Sequence, residues 1–249
     1  MIPLPPGHRL LHLPSVDSTN AEALRRARAG EPEGLVVWAD EQVAGRGRQG
    51  RRWLGGGDSV AFSLLRRPGV PPQEATRWTL LAGLAVVDAL QAAAPELWLK
   101  WPNDVLLGRR KAGGILCELD GGAIVVGIGL NLAPPAGGWP QDLVDRAASL
   151  PPGVGGREQV IAGVLASFDR LETELLQQGP APLMARYRRA LAPMIGWSVR
   201  VDGGAEPWAA RVEGVDDSGA LVVLDGSGAR RTVLAGDVHL LGPAIPEAP

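Results

Sequence analysis

The hydrophobic rhythm of this chain changes near Ile195, and the change limits what it can fold into. Before that point, apolar runs of strand length alternate with stretches in helical period. After it, only short apolar runs remain, separated by turn signals at Gly203-Gly204, Asp217-Ser218-Gly219, Asp225-Gly226 and Gly236-Asp237. A unit of roughly 45–50 residues with that pattern has the size of an SH3-like β-barrel. With 249 residues there is room for such an appendage beside a larger body. The expected architecture is therefore two domains: an α+β body with a mixed β-sheet and packed helices over residues 1–194, and a small β-domain over residues 195–249.

Within the body, Thr19-Asn20-Ala21-Glu22 has capping-box spacing, which predicts a helix from about Thr19 to Ala29. Gly30 and Gly34 close it, and residues 35–39 read as a buried strand. Residues 45–57 are rich in Gly and Arg without periodicity and read as a mobile loop. A strand over 60–65 precedes Pro71-Pro72 and a helix over 73–93. Strands over 97–101, 114–119 and 123–131 follow. Pro/Gly stretches at 133–140 and 151–156 flank a short helix expected around 141–150. A long amphipathic helix comes next, carrying Val160, Ile161, Val164, Leu165, Phe168, Leu171 and Leu175 on one stripe, and another spans 181–191.

Composition excludes several classes. A net charge of −2 gives no basic field for nucleic acid, and Asp216, Asp217, Asp225 and Asp237 argue against it in the β-domain. The single cysteine, Cys117, rules out an intramolecular disulfide and a Cys-rich zinc site, and its mid-strand position reads as core. The first 13 residues contain three prolines and make a poor signal peptide, and no apolar run approaches the roughly 18–20 residues of a membrane span. The expectation is a soluble, cytoplasmic protein.

Positive charge is supplied by 23 arginines and only two lysines, Lys100 and Lys111, which stand eleven residues apart. A lysine offers a compact ammonium on a flexible stem where arginine offers a planar fork. Between them lies Lys100-Trp101-Pro102-Asn103-Asp104, a turn by composition whose Asn103 and Asp104 could equally hold a ribose or magnesium. Gly45-Arg46-Gly47-Arg48-Gln49-Gly50, with Arg51 and Arg52, is either a solvated basic loop or an anion cradle in which backbone and guanidiniums close on carboxylate or phosphate oxygens. It lacks the ending of a Walker loop. Ser18-Thr19-Asn20 is a helix cap, a polar ligand contact, or both. Gly113-Gly114 and Gly127-Ile128-Gly129 mark a bulge or a close approach of ligand to backbone. Trp38, Trp78 and Trp98 read as core, whereas Trp53 is placed to pack on a ligand.

Taken in order, Ser18-Thr19-Asn20, Gln42 before the Gly-Arg loop, Lys100 to Asp104, Lys111-Ala112-Gly113-Gly114-Ile115 and Gly127-Ile128-Gly129-Leu130-Asn131 resemble the catalytic core of biotin protein ligases (biotin–[acetyl-CoA-carboxylase] ligases). The resemblance runs from Ser18 to Asn131, and the small β-domain is similar to that family's C-terminal module. It implies a core of the class II synthetase and biotin–lipoate ligase type. It implies activation of biotin by MgATP to biotinyl-5′-AMP, then transfer to one lysine of a biotin carboxyl carrier domain of acetyl-CoA carboxylase or a related carboxylase. The residues it assigns to biotin are Ser18, Thr19, Asn20, Gln42, Gly45, Arg46, Gly47, Arg48, Lys111, Gly114, Ile115 and Gly127. To the nucleotide it assigns Arg46, Arg48, Trp53, Asn103, Lys111 and Asn131, and to magnesium Asp104. Arg46, Arg48 and Lys111 carry the catalytic charge; Gln49, where arginine is also familiar, receives no role. Some relatives carry an N-terminal DNA-binding domain, but only 17 residues precede Ser18, so a ligase without DNA or membrane partners is expected. Monomer and homodimer both stay open. The alternative within enzymes is a lipoate or octanoate ligase or transferase of the related core.

Overall fold

The computed structural model describes residues 3–53, 59–71, 74–202 and 206–243. The expectations for residues 54–57, Pro72, Gln73 and Gly203-Gly204 lie outside them. The body is built in the order β1 (Arg9–Val16), α1 (Thr19–Arg28), β2 (Leu35–Gln42), β3 (Ser59–Arg66), α2 (Thr76–Leu90), β4 (Leu97–Lys100), β5 (Asp104–Leu107), β6 (Arg110–Asp120), β7 (Ala123–Asn131), α3 (Arg157–Gln178) and α4 (Pro180–Leu191). Its strands form one seven-stranded sheet ordered β1-β2-β3-β7-β6-β5-β4, in which β1 and β2 are parallel and every other pair is antiparallel.

Period-two alternation sends each strand's side chains to two different layers. On β7, Ile124, Val126, Ile128 and Leu130 enter the main core with α2, α3 and α4. Ala123 and Val125 enter a smaller core with Ala23, Leu24 and Ala27 of α1. Along that second face the pattern continues through Gly127, Gly129 and Asn131, so the sheet is bare just where α1 begins. All seven stripe residues of α3 are buried. Cys117 packs against the main core, and burial pushes its thiol up to about 12 against a hydrogen bond with Thr79.

The remaining strands are β8 (Trp197–Asp202), β9 (Trp208–Val215), β10 (Leu221–Asp225), β11 (Arg230–Val233) and β12 (Asp237–Pro243). They form a five-stranded antiparallel sheet ordered β11-β10-β9-β8-β12. Its inner residues Val199, Val212, Leu221 and Val223 belong to the same core as the helices of the body. The turn before β10 is fixed from both sides. Gly219 adopts φ +90°, a Cβ there would stand 2.5 Å from Leu80 of α2, and its carbonyl accepts from the Trp101 indole at 2.9 Å. The acidic residues here are internally committed: Asp216 and Asp225 accept backbone N–H groups of their own turns, and Asp217 pairs with Arg188.

The structure corrects several sequence expectations. Two strands were missed: β1, an edge strand that tolerates Pro14, and β5, only four residues long. Residues 141–146 form turns rather than a helix, because the backbone there pairs across to β6. The Lys111 N–H donates to the Arg146 carbonyl (2.7 Å), and the Ala148 N–H donates to the Lys111 carbonyl (2.8 Å). Ser18, not Thr19, is the N-cap of α1, and its side chain makes no capping bond. Glu22 instead pairs with Arg25 and Arg26. No described helix is long and apolar enough to cross a membrane.

Gly219→Ala should cost about 2–4 kcal/mol, combining left-handed strain with a clash against Leu80. Gly228→Ala, at φ +80° with open space around it, should cost only the strain, about 1–2 kcal/mol. Urea denaturation of both variants checks the difference.

Candidate functional site

A cavity of about 840 Å³ opens over the bare end of the seven-stranded sheet, within the size range of small-molecule sites. Every site residue expected from the sequence lines it except Gly45. Gly45 serves the wall from behind, since a Cβ there would lie 2.8 Å from the Trp53 carbonyl and 3.2 Å from Gln42 Nε2.

One end of the cavity is neutral and hydrogen-bonding. Gln42 Oε1 accepts from the Thr19 backbone N–H (2.8 Å) and lies 3.1 Å from the Thr19 hydroxyl. That fixes the Gln42 carboxamide with its NH2 group left for a ligand. The Ser63 hydroxyl donates to Asn20 Oδ1 (2.6 Å) and lies 2.8 Å from the Thr19 hydroxyl. Asn20 Nδ2 donates to the Leu116 carbonyl (3.0 Å) and to Glu118 (2.8 Å), so the Asn20 side chain is fully spent inside the protein. It is the anchor of this end. Ser18 is buried at the cavity wall with a hydroxyl that has no partner among the described residues. The three residues thus form a polar pocket as well as a helix start.

The glycines of β7 exist for this arrangement. A Cβ at Gly127 would stand 2.0 Å from Asn20 Oδ1, and one at Gly129 would stand 2.6 Å from the Trp53 ring. Their strand is paired without a bulge to β3 and β6. The irregularity falls instead in β6 near Ala112, between its pairs with Val105 and Leu106. Trp53 therefore lies against the sheet over Gly129 and Gly114, with Lys111 Nζ 3.2 Å from a Cβ position at Gly114. The Trp53 indole N–H is buried without a partner.

The other end is cationic. Lys100 and Lys111 both reach Asp104, at 2.6 and 2.5 Å, one on each carboxylate oxygen. Burial alone would raise the Asp104 carboxyl; the two ammoniums outweigh it and hold the group well below the usual carboxylate range. The described part of the Gly-Arg segment is a closed hairpin rather than an open loop. Gly47 and Trp53 N–H groups donate to the Arg51 and Gly45 carbonyls at 2.7 and 2.9 Å. Arg46 pairs with Glu118 at 3.1 Å, Arg48 donates to Asn103 Oδ1 at 3.2 Å and to the Gly236 carbonyl at 3.3 Å, and Arg51 pairs with Asp237 at 2.6 Å. Asn103 Nδ2 donates to the Ile115 carbonyl (3.0 Å), and Asn131 Nδ2 to those of Ala148 (3.0 Å) and Lys111 (3.4 Å). Both asparagines therefore brace the wall.

Sequence reasoning missed Ser63 and Glu118, which brace the wall from behind, and at the cavity itself the 139–147 turn segment and the β12 residues Val238, His239 and Leu240. Ser63 carried a signal, a hydroxyl inside the apolar run Val60 to Leu65. The sequence marks Asp237 only as a turn signal and as charge against nucleic acid.

A neutral polar pocket, an apolar floor and a cationic far end suit an elongated acid whose carboxylate meets a phosphate, which defines a class of acid-activating proteins. The comparisons agree with that class. The pattern of the biotin/lipoate A/B protein ligase family matches residues 13–133, and that of the biotin protein ligase C-terminal domain matches residues 194–241. The biotin–[acetyl-CoA-carboxylase] ligase of Paracoccus denitrificans is 38% identical, covering 92% of this chain and 100% of that protein. The bifunctional ligase/repressor BirA of Bacillus spizizenii is 32% identical, covering 94% of this chain and 74% of its own length. The biotin protein ligase of Aquifex aeolicus in complex with biotin and ATP superposes with a TM-score of 0.81 at 27% identity, over 94% of this chain and 99% of that one. The chain belongs to the biotin/lipoate A/B protein ligase family.

Asp104 sets a pH dependence with a definite sign. Its carboxyl is depressed in the folded state, so its stabilisation is complete above the ordinary value of 3.8 and is lost as pH falls through the lower folded value. Asp104→Asn should cost about 3 kcal/mol near neutrality by leaving two ammoniums unpaired. The gap between the variant and the unsubstituted protein should begin to narrow below the ordinary value of 3.8 and close only as pH falls through the lower folded value. Denaturant midpoints across pH measure it.

Proposed function

We infer that this protein is a biotin protein ligase, which activates biotin with ATP and transfers it to a carrier-domain lysine. The observation that carries the reading is the continuity of the polar pocket at Ser18, Thr19 and Gln42 with the cations around Lys111 in a single cavity. Biotin is such a molecule: a neutral ureido head that donates and accepts hydrogen bonds, an aliphatic chain and a terminal carboxylate. The match to the biotin protein ligase C-terminal domain and the relatives named above favour biotin over lipoate or octanoate.

In this reading the head sits against the Ser18 hydroxyl and the Gln42 amide, with Gly127 leaving room beside Asn20. Ile115, Gly114 and Trp53 flank the chain, and Lys111 receives the carboxylate. The carboxylate oxygen then bonds to the α-phosphorus of ATP while the bond to the bridging oxygen breaks, releasing pyrophosphate. Two anions must approach in a partly closed site, and Lys111, Arg46 and Arg48 offset their repulsion. The mixed anhydride is itself the activated species, so Cys117 has no covalent part. In the second half-reaction the carrier lysine attacks the biotinyl carbonyl and AMP departs, with Lys111 beside its phosphate. Arg46 and Arg48 would give up Glu118 and Gly236 contacts for ligand oxygens, the exchange expected of a lid.

Magnesium fits as a companion of the nucleotide. Asp104 commits both oxygens to ammoniums, and the described residues contain no group of three or more His, Cys, Asp and Glu placed for a metal. The ion would be held mainly by phosphate oxygens, with Asp104 as its protein ligand once Lys111 has turned from that carboxylate to the substrate, and would supply neutralisation of phosphate charge. Residues 1–194 serve as the catalytic body and 195–249 as its C-terminal unit, in the cytoplasm where ATP and the carrier protein meet.

Biotin- and MgATP-dependent pyrophosphate release tests the reading, with lipoate and octanoate in parallel, followed by a biotin carboxyl carrier domain. Release with biotin and labelling of the carrier lysine is expected; release only with the other acids would refute it. Lys111→Ala should slow each half-reaction by about a hundredfold or more. Single-turnover transfer from preformed biotinyl-AMP at an unchanged rate would remove Lys111 from the second step.

A further inference from the structure

Most cations at the cavity already have a carboxylate. Lys100 and Lys111 share Asp104, Arg46 has Glu118, and Arg48 and Arg51 share Asp237. Arg52, Arg109 and Arg146 line the same cavity and have no carboxylate partner among the described residues; Arg52 belongs to the Gly-Arg hairpin, whereas Arg109 and Arg146 stand beside Lys111. Both are tied to Lys111 through the backbone. Arg109 stands two residues before it, on the Gly108-Arg109 turn between β5 and β6, where Gly108 takes φ +58°. The Arg146 carbonyl accepts the Lys111 N–H at 2.7 Å. The Arg109 guanidinium is also held, stacked 4.9 Å above the Trp197 ring of β8. Asp142 and Asp145 line the cavity beside them, and neither forms an ion pair with either arginine.

Two unpaired guanidiniums flanking the lysine at the reacting phosphate are matched to further phosphate oxygens. We propose that Arg109 and Arg146 form the subsite for the β- and γ-phosphates of ATP, and hence for the pyrophosphate that leaves. The inference rests on the ligase reading. When the biotin carboxylate oxygen bonds to the α-phosphorus, the electron pair of the broken α–β bridge stays on the departing pyrophosphate. The two guanidiniums donate to its oxygens as that charge grows. Trp197 is a positioning residue, through which the C-terminal sheet orients Arg109.

The test is biotin-dependent exchange of labelled pyrophosphate into ATP with Arg109→Gln, Arg146→Gln and the double variant. Both side chains are exposed, so these variants are expected to fold, and Arg109→Lys and Arg146→Lys serve as charge-retaining controls. Each Gln variant should raise KM for ATP and for pyrophosphate by about tenfold. KM for biotin and single-turnover transfer from preformed biotinyl-AMP should stay unchanged. Trp197→Leu should raise the same two constants less, and leave Arg109→Gln no worse in combination. Unchanged ATP and pyrophosphate constants would overturn the proposal. So would a loss confined to the carrier's KM, which would make these arginines a docking surface for an acidic protein face. Failure of the ligase reading shows instead in the unsubstituted protein, as absence of any biotin-dependent exchange.

Discussion

The site depends on one carboxylate. Asp104 stands at the start of β5 and holds the chain's two lysines, one on each oxygen. A carboxylate this buried is stable only when ionic partners compensate its desolvation, and the ammoniums do so. Its charge reaches further, since burial and then Asp104 push the phenol of Tyr187 on α4 upward. One ion triad therefore links the helical layer, the end of the sheet and the cavity. It also keeps Lys111 extended along Gly114, where a lysine can turn from Asp104 to a ligand without crossing the core.

Around that triad the cavity is shaped by what the sheet omits. A strand buried on both faces ordinarily carries side chains on both. On β7 the face beneath α1 loses them at Gly127 and Gly129, and Asn20 and Trp53 descend into the space. The reacting end is then closed by elements far apart in sequence. The Gly-Arg hairpin bonds to Asp237 and Gly236 of the C-terminal sheet, and the 139–147 segment bonds to Lys111. The C-terminal sheet is thus a wall of the site, sharing its core with the body through Gly219, Leu80 and Trp101.

Much of this was legible in the sequence for identifiable reasons. Periodicity found the buried stripe of α3 because that stripe is pure, and Trp38, Trp78, Trp98 and Cys117 join the main core because each lies in an apolar run of its own element. The order of the motifs located the cavity, since residues that must meet one ligand converge whatever lies between them. Legibility ended where local signal and tertiary contact diverged. β5 is too short to show a period, and within residues 141–150 the backbone closes turns and then bonds at Arg146 and Ala148 to β6 and at Leu150 to β7 instead of forming a helix. Asp237 looked like a turn residue and like charge against nucleic acid, yet its role is to bind arginines more than 180 positions away. Glycine pairs in a strand signal close approach without saying of what; here the first answer is Asn20 and Trp53 of the same chain.

The central claim is that the glycine-floored pocket at the start of α1 receives the biotin head while Lys111 receives its carboxylate. Calorimetric titration of biotin in the absence of ATP, into the unsubstituted protein and into Gly127→Ala, tests it most directly. A methyl at Gly127 must displace Asn20, which stands 2.0 Å from its position, and with it the bonding of Thr19 and Ser63. The account predicts saturable binding of one biotin per chain, weakened about tenfold or more in the variant. Equal affinity in the two proteins, or no binding in the first, would contradict it.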